Sequence, residues 1–254
     1  MSIECPMCKR NVSILKTGSH ILPRFFLRII RDPKSGQIRV IDVFKAIIDS
    51  KSQDLPKGDF ICETCETLTA NLDSYAAKIL KYPNKTKRQR VKSGKIDFEL
   101  CNGLDFQKFR DFVISVVVRD HCWRKSENLQ TFMSDSEYES LRFFLISGDA
   151  TDDTSFPIIM HKILPLLNVP NIHNSTSPPV ISTTKDAVTF IGMGYAFMMY
   201  FKAAGSPGME AFIQIFKLKN DGTLRTPFAD FMSIGTFKNS HNAIIEAYRK
   251  YFHN

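Results

Sequence analysis

No stretch of this 254-residue sequence is apolar for long enough to cross a bilayer. The cluster Ala196-Phe197-Met198-Met199-Tyr200-Phe201 covers six residues, where a helical span needs about twenty. The opening, Met1-Ser2-Ile3-Glu4-Cys5, lacks the basic-then-apolar pattern of a secretion signal. The expectation is a soluble, cytoplasmic protein without a membrane partner. Acidic residues are outnumbered, 26 against 34 Lys and Arg, for a net charge of +8. Such a balance favours a polyanionic partner, nucleic acid first, without fixing a fold. No internal repeat is visible. Gly192-x-Gly194 and Gly205-x-x-Gly208 lack the strand-then-helix setting of a nucleotide-binding loop, which assigns them to turns and strand packing. His121, His161, His173, His241 and His253 show no metal-ligand spacing and read as surface or packing residues.

Cysteine is scarce, yet four of the six are paired in the opening third as Cys5-Pro6-Met7-Cys8 and Cys62-Glu63-Thr64-Cys65. Two residues between thiolates let both sulfurs reach one metal from a tight turn. Two such knuckles complete the closed tetrahedron of a structural zinc ion. Disulfides are disfavoured in a reducing cytoplasm, so Cys5, Cys8, Cys62 and Cys65 are the expected Zn²⁺ ligands. Cys101 and Cys122 belong to no motif and read as small buried hydrophobes.

The expected class is α+β. Residues 1–80 form the zinc unit. Val12-Ser13-Ile14-Leu15 reads as a short strand, Phe25 to Ile30 as strand or helix, and Gln37 to Val40 as a strand after the turn Asp32–Gly36. Val43 to Ile48 reads as a helical turn or two. After the second knuckle, Leu68, Leu72, Tyr75, Ala76 and Ile79 recur at helical spacing, and Pro83 ends that helix. A hairpin, a knuckle and a helix carrying the last two ligands make a treble clef.

Residues 81–95 form an expected basic linker. Lys78, Lys81, Lys85, Lys87, Arg88, Arg90, Lys92 and Lys95 follow one another with no acidic residue between them. This is either a phosphate-contacting arm, sensitive to salt through counterion release, or a solvated connector. Residues 96–254 form an α+β domain. Its helical middle runs to about residue 167, with an apolar stripe through Phe109, Phe112, Val113, Val116 and Val117. A second helix opens on the capping box Ser134-Asp135-Ser136-Glu137 and stops at Gly148. After a loop over Pro170–Pro179, Ala187–Met199 and Ala211–Leu218 read as strands of a small antiparallel sheet. Asn220-Asp221-Gly222 is a hairpin turn, and Asn242–Phe252 a closing helix.

The segment His20-Ile21-Leu22-Pro23, lying between the two Cys-x-x-Cys pairs, resembles the His-Ile-x-Pro segment of the HNH endonuclease family. Ser19 to Phe25 and Cys62 to Glu66 look more narrowly like a bacterial branch of HNH-related proteins. That branch shares a helical middle, here from Asp105-Phe106-Gln107-Lys108-Phe109 onward. The motif-level resemblance covers about the first third of the chain. It implies a metal-dependent DNA endonuclease. His20 would be the general base, and Glu66 would hold a catalytic Mg²⁺ or Mn²⁺ beside the structural zinc. Nucleic-acid contacts are expected from Arg24, Lys85, Lys87, Arg88, Arg90 and Lys92. The biological expectation that goes with it is an antiphage defence effector, with a protein partner in a multi-component system. Ser19 stands where the family carries Asp, Glu or His, and Lys57 and Gly58 occupy the region of its asparagine. The alternative is a non-catalytic treble-clef zinc module that binds nucleic acid or protein. Asp54 to Tyr75 also looks like the zinc-finger-associated domain of insect transcription factors.

Overall fold

The computed structural model describes residues 2–26, 38–42, 47–52, 56–81, 87–93, 96–148, 154–164, 176–181, 186–201 and 206–230. The opening third is made of short antiparallel pairs. β1 (Ile3–Glu4) pairs with β2 (Asn11–Val12), and β3 (Ser19–His20) with a strand arriving much later, β6 (Lys57–Gly58). Between them β4 (Ile38–Asp42) pairs with β5 (Ile47–Ser52). The strand expected at Gln37–Val40 is thus present as β4. Of the helical turn expected over Val43–Ile48, Ile47 and Ile48 lie in β5 instead, and residues 43–46 fall outside the described residues. Of the run from Phe25 to Ile30, residues 25 and 26 are helical and 27–30 lie outside the described residues.

α1 (Glu63–Lys81) turns Cys65, Thr69, Leu72, Ala76, Ile79 and Leu80 inward, one stripe of a 3.6-residue period. Glu63 and Glu66 in its first turn and Lys78 and Lys81 in its last complement the helix dipole. α2 (Phe106–Ser126) is the central element, capped by Asp105, whose side chain accepts from the Lys108 N–H at 3.0 Å. Every residue from Phe109 to Cys122 is buried. The stripe read from sequence is therefore one side of a helix surrounded by protein. α3 (Asp135–Ser147) has the expected reciprocal box between Ser134 and Glu137, and it ends at Gly148 with φ of +66°.

One seven-stranded sheet runs through the remainder, in the order β10-β11-β12-β9-β13-β8-β7. Its members are β7 (Lys87–Ser93), β8 (Ile96–Asn102), β9 (Ile158–Leu164), β10 (Ser177–Ile181), β11 (Ala187–Gly192), β12 (Tyr195–Tyr200) and β13 (Leu224–Asp230). The expected sheet was small and antiparallel. This one is mixed, because β13 runs parallel to β9 and antiparallel to β8. The expected linker over 81–95 is corrected in its central part, where residues 87–93 are an edge strand. Alternation in Lys-Arg-Gln-Arg-Val-Lys-Ser sends Arg88 inward and Val91 against a hydrophobic cluster, and the density of charge hides that period. Ala211–Leu218 is likewise corrected. It lies mostly in α4 (Pro207–Phe216), capped by Ser206 with Pro207 at the first helical position. The turn at Asn220–Gly222 therefore joins a helix to β13. Part of the loop expected over Pro170–Pro179 belongs to β10. The closing helix expected at 242–252 lies outside the described residues.

Side chains alternate along β12. Phe197 and Met199 join the large core with α1, α2 and α3, while Met198 and Tyr200 join Ile213 and Phe216 of α4. The sheet is thus covered on both faces. Phe26, from the opening third, stacks with Phe197 and lies against Phe190, and a Cβ on Gly192 would come within 2.2 Å of its ring. The cysteine-bearing unit and the sheet share one core. Among the described residues no helix is long and apolar enough to cross a membrane.

Candidate metal centre and its surroundings

The four paired cysteines converge. Cys5 Sγ lies 3.9 Å from Cys65 Sγ, Cys8 Sγ lies 3.8 Å from Cys62 Sγ, and all four sulfurs are within 4.8 Å of one another. A tetrahedral ion with metal–sulfur bonds of about 2.3 Å requires sulfur–sulfur edges of about 3.8 Å. No S–S bond is formed. The quartet could hold a metal such as zinc.

Each knuckle is built locally. In the first, the Lys9 N–H donates to the Cys5 carbonyl at 2.8 Å and Lys9 takes φ of +59°, and the Cys5 N–H returns to the Arg10 carbonyl at 2.9 Å. In the second, the Cys62 N–H donates to Cys5 Sγ at 3.3 Å, and Cys65 enters the first turn of α1. Donors from Cys65, Cys8 and Cys62 outweigh burial at Cys5 and bring its thiol down to about 4. At Cys65 the shared hydrogen bond with Cys5, burial and the neighbouring sulfurs push the other way. Sulfurs this close oppose one another's ionisation, which is the electrostatic problem a bound cation solves.

The remaining predicted residues surround this centre unevenly. His20, on β3, is half-buried, and its register partner is Lys57. Its carbonyl accepts from Arg119 Nη1 at 3.4 Å, and the same guanidinium grips both oxygens of Asp73 at 3.0 and 2.8 Å. Position 20 is thereby fastened to α1 and α2 together. Glu66 follows Cys65 in the first turn of α1. Its Oε2 is buried and meets no hydrogen-bond partner. Ser19 is 1% exposed, and its hydroxyl donates to the Lys16 carbonyl at 3.4 Å. Arg24 is exposed beside the buried pair Phe25 and Phe26.

Of the basic residues expected to touch nucleic acid, Arg88 is corrected. Its side chain is 7% exposed and bonds Glu99 at 3.1 Å, the Ile79 carbonyl at 2.9 Å and the Tyr195 hydroxyl at 2.5 Å. An inward position in a strand withdrew it from solvent. Arg90 remains exposed but spans the Asp97 carboxylate, which holds that acid below the usual carboxylate range. Lys92 is exposed. Lys87 lies in β7, and Lys85 falls outside the described residues.

Sequence reasoning missed the grip of α3 on the first knuckle. The Tyr138 hydroxyl donates to the Pro6 carbonyl at 2.8 Å, Arg142 reaches the Met7 carbonyl at 3.4 Å, and Lys9 pairs with Glu139 at 3.2 Å. Nothing local could have shown it, because the partners are at least 130 residues apart. His121 was read only as a surface or packing residue. It is 1% exposed and stacks on Tyr138 at 4.2 Å between centroids. Compared with known proteins, the chain matches no family model, no curated protein and no solved structure.

Proposed function

We propose that the opening third is a treble-clef zinc unit of the HNH type, and that the chain is a metal-dependent endonuclease cleaving DNA phosphodiesters. The observation that carries this reading is the buried, unpartnered Oε2 of Glu66 one residue past the last cysteine. A carboxylate oxygen withdrawn from water without a donor is costly, and a hard divalent cation is what relieves it. His20 is the general base, its imidazole taking the proton of the attacking water. Arg119 is a positioning residue, holding the backbone of His20. A Mg²⁺ or Mn²⁺ ion at Glu66 would supply charge stabilisation at the phosphate. Such ions keep several waters and accept few protein ligands, so one carboxylate suffices. Arg24 and Lys92, both exposed, are cations that would meet the phosphate backbone.

The second reading is a non-catalytic zinc module that binds nucleic acid or protein. The buried Ser19 favours it, since its hydroxyl is directed to its own loop rather than offered as a ligand. Incubation of supercoiled plasmid with the zinc-loaded protein and Mg²⁺ or Mn²⁺ separates the two, with His20→Ala and Glu66→Gln alongside. Nicking lost in both variants upholds the enzyme. Salt-sensitive DNA binding without cleavage upholds the module, and equal cleavage by all three proteins removes His20 and Glu66 from the chemistry.

A further inference from the structure

The turn that links α4 to β13 forms the rim of an open hollow of about 280 Å³, lined by Ile215, Lys217, Lys219, Asp221, Thr223 and Arg225. Three cations and a single carboxylate line it. The carboxylate is already engaged, for Asp221 Oδ1 accepts the Thr223 N–H at 2.8 Å. Those bonds to Thr223 hold Asp221 below the usual carboxylate range, so it stays charged and turned to its own loop. Lys217, 4% exposed, is set into the floor. Arg225 reaches the Ile215 carbonyl at 3.4 Å, which accounts for one of its five donors. Lys219 and Arg225 therefore bring an excess of positive charge over Asp221, with unspent donors converging from a turn and a strand.

The rim is rigid before any ligand arrives. The Lys219 N–H donates to the Thr223 carbonyl and the Gly222 N–H to the Lys219 carbonyl, both at 2.9 Å, closing the turn on itself. Gly222 sits at φ of +75°, and its carbonyl accepts the Leu104 N–H at 3.1 Å. A Cβ there would fall 2.0 Å from the Leu104 oxygen. The turn is thus seated on the loop that starts α2. A lining with Ile215 as its single apolar residue does not suit an apolar ligand. Converging cations on a fixed frame suit a compact, multiply charged anion.

We propose that this hollow is a binding site for a phosphate group, with Lys219 and Arg225 as its principal donors. Its lining shares no residue with the cysteine centre, and the proposal holds whether or not His20 catalyses. The phosphate comes either from a polynucleotide backbone or from a small phosphorylated ligand. The test uses the full zinc-loaded chain and two probes: inorganic pyrophosphate by isothermal titration calorimetry, and a labelled 12-nucleotide single strand by fluorescence anisotropy. Lys219→Gln and Arg225→Gln are compared with Lys125→Gln, which removes a cation at the distant end of α2. The expected loss is about tenfold in affinity per charge-assisted contact. For the oligonucleotide, the slope of log K against log salt should fall by about 0.7. Loss for both probes, in the hollow variants alone, upholds the site for phosphate of either source. Loss confined to the oligonucleotide assigns it to a nucleic-acid backbone, and loss confined to pyrophosphate to a small ligand. Should neither probe bind, or should Lys125→Gln weaken them equally, the proposal is overturned. Lys219→Gln carries the decision if Arg225→Gln lowers the melting temperature.

Discussion

The hydroxyl of Tyr138 donates to the carbonyl of Pro6, inside the first Cys-x-x-Cys, across 2.8 Å and 132 residues of chain. The same oxygen lies 3.2 Å from Cys122 Sγ on α2. One phenol therefore fixes the knuckle turn against the helical middle. Tyr138→Phe keeps the ring and its stacking on His121 while leaving the Pro6 carbonyl short of a donor. The expected cost is about 1–3 kcal/mol, read as a lower melting temperature, together with faster release, to a chelator, of a zinc ion loaded onto the four cysteines. Unaltered release would show that the knuckle holds its shape without α3.

Metal removal should be felt beyond the opening third. Cys5, Met7, Cys62 and Cys65 belong to the same core cluster as Phe109, Phe112 and Phe197. Binding energy at such a centre is folding energy. Chelation is expected to lower the main unfolding transition of the whole chain. A calorimetric trace in which the sheet melts unchanged after verified metal loss would contradict it.

Arg119 and Asp73 form a part-buried bidentate pair, with the arginine side chain 3% and the aspartate side chain 18% exposed. Arg119→Met leaves Asp73 uncompensated and should cost about 3–5 kcal/mol. Adding Asp73→Leu removes the orphaned charge and should restore most of that loss. A double-mutant cycle in urea measures the coupling, and strictly additive losses would disprove the pairing.

His121 gives a pH dependence with a definite sign. Burial, then the positive charge of Lys125, brings its pKa down from 6.5 to about 4. The unfolded chain takes up this proton first as pH falls. The contribution to stability is full above about pH 6.5 and is lost progressively as pH drops toward 4, by about 3 kcal/mol. Neither ring nitrogen has a hydrogen-bond partner. His121→Phe should therefore stabilise the protein and flatten its acid slope between those limits. Urea midpoints at pH 7.5 and pH 5 for both proteins check it.

Gly192→Ala tests the seam between the opening third and the sheet. The added methyl would meet three atoms of the Phe26 ring at 2.2 to 2.5 Å, forcing that ring out of its stack with Phe197. A loss of about 1–3 kcal/mol is expected. Pairing the variant with Phe26→Leu should recover part of it.

What could be read from the sequence was what is local. Cys5, Cys8, Cys62 and Cys65 announced themselves by spacing, because a metal knuckle is a property of four consecutive residues. The Ser134 box and the Gly148 stop were visible for the same reason. The strand at Lys87–Ser93 was not, because its four cations obscured a period that only Glu99 and Tyr195 make sense of. α4 was misread since Ile213 and Phe216 carry β propensity, although Ser206-Pro207 offered a helix start. The order of the sheet was out of reach, for it depends on which strand edges find one another at long separation. At the candidate site, Glu66 and His20 came from family likeness; the fastening of position 20 by Arg119, 99 residues away, came from coordinates alone.

β13 lies between β8 and β9 in the sheet but follows both in the chain by a wide margin. During synthesis β8 leaves the ribosome over a hundred residues ahead of Leu224–Asp230. Until then its inner edge waits unpaired beside a nascent apolar surface, the setting in which chains aggregate or recruit chaperones. A shortened chain ending before residue 224 would keep that gap permanently open. Production of this protein thus depends on β13 arriving in time.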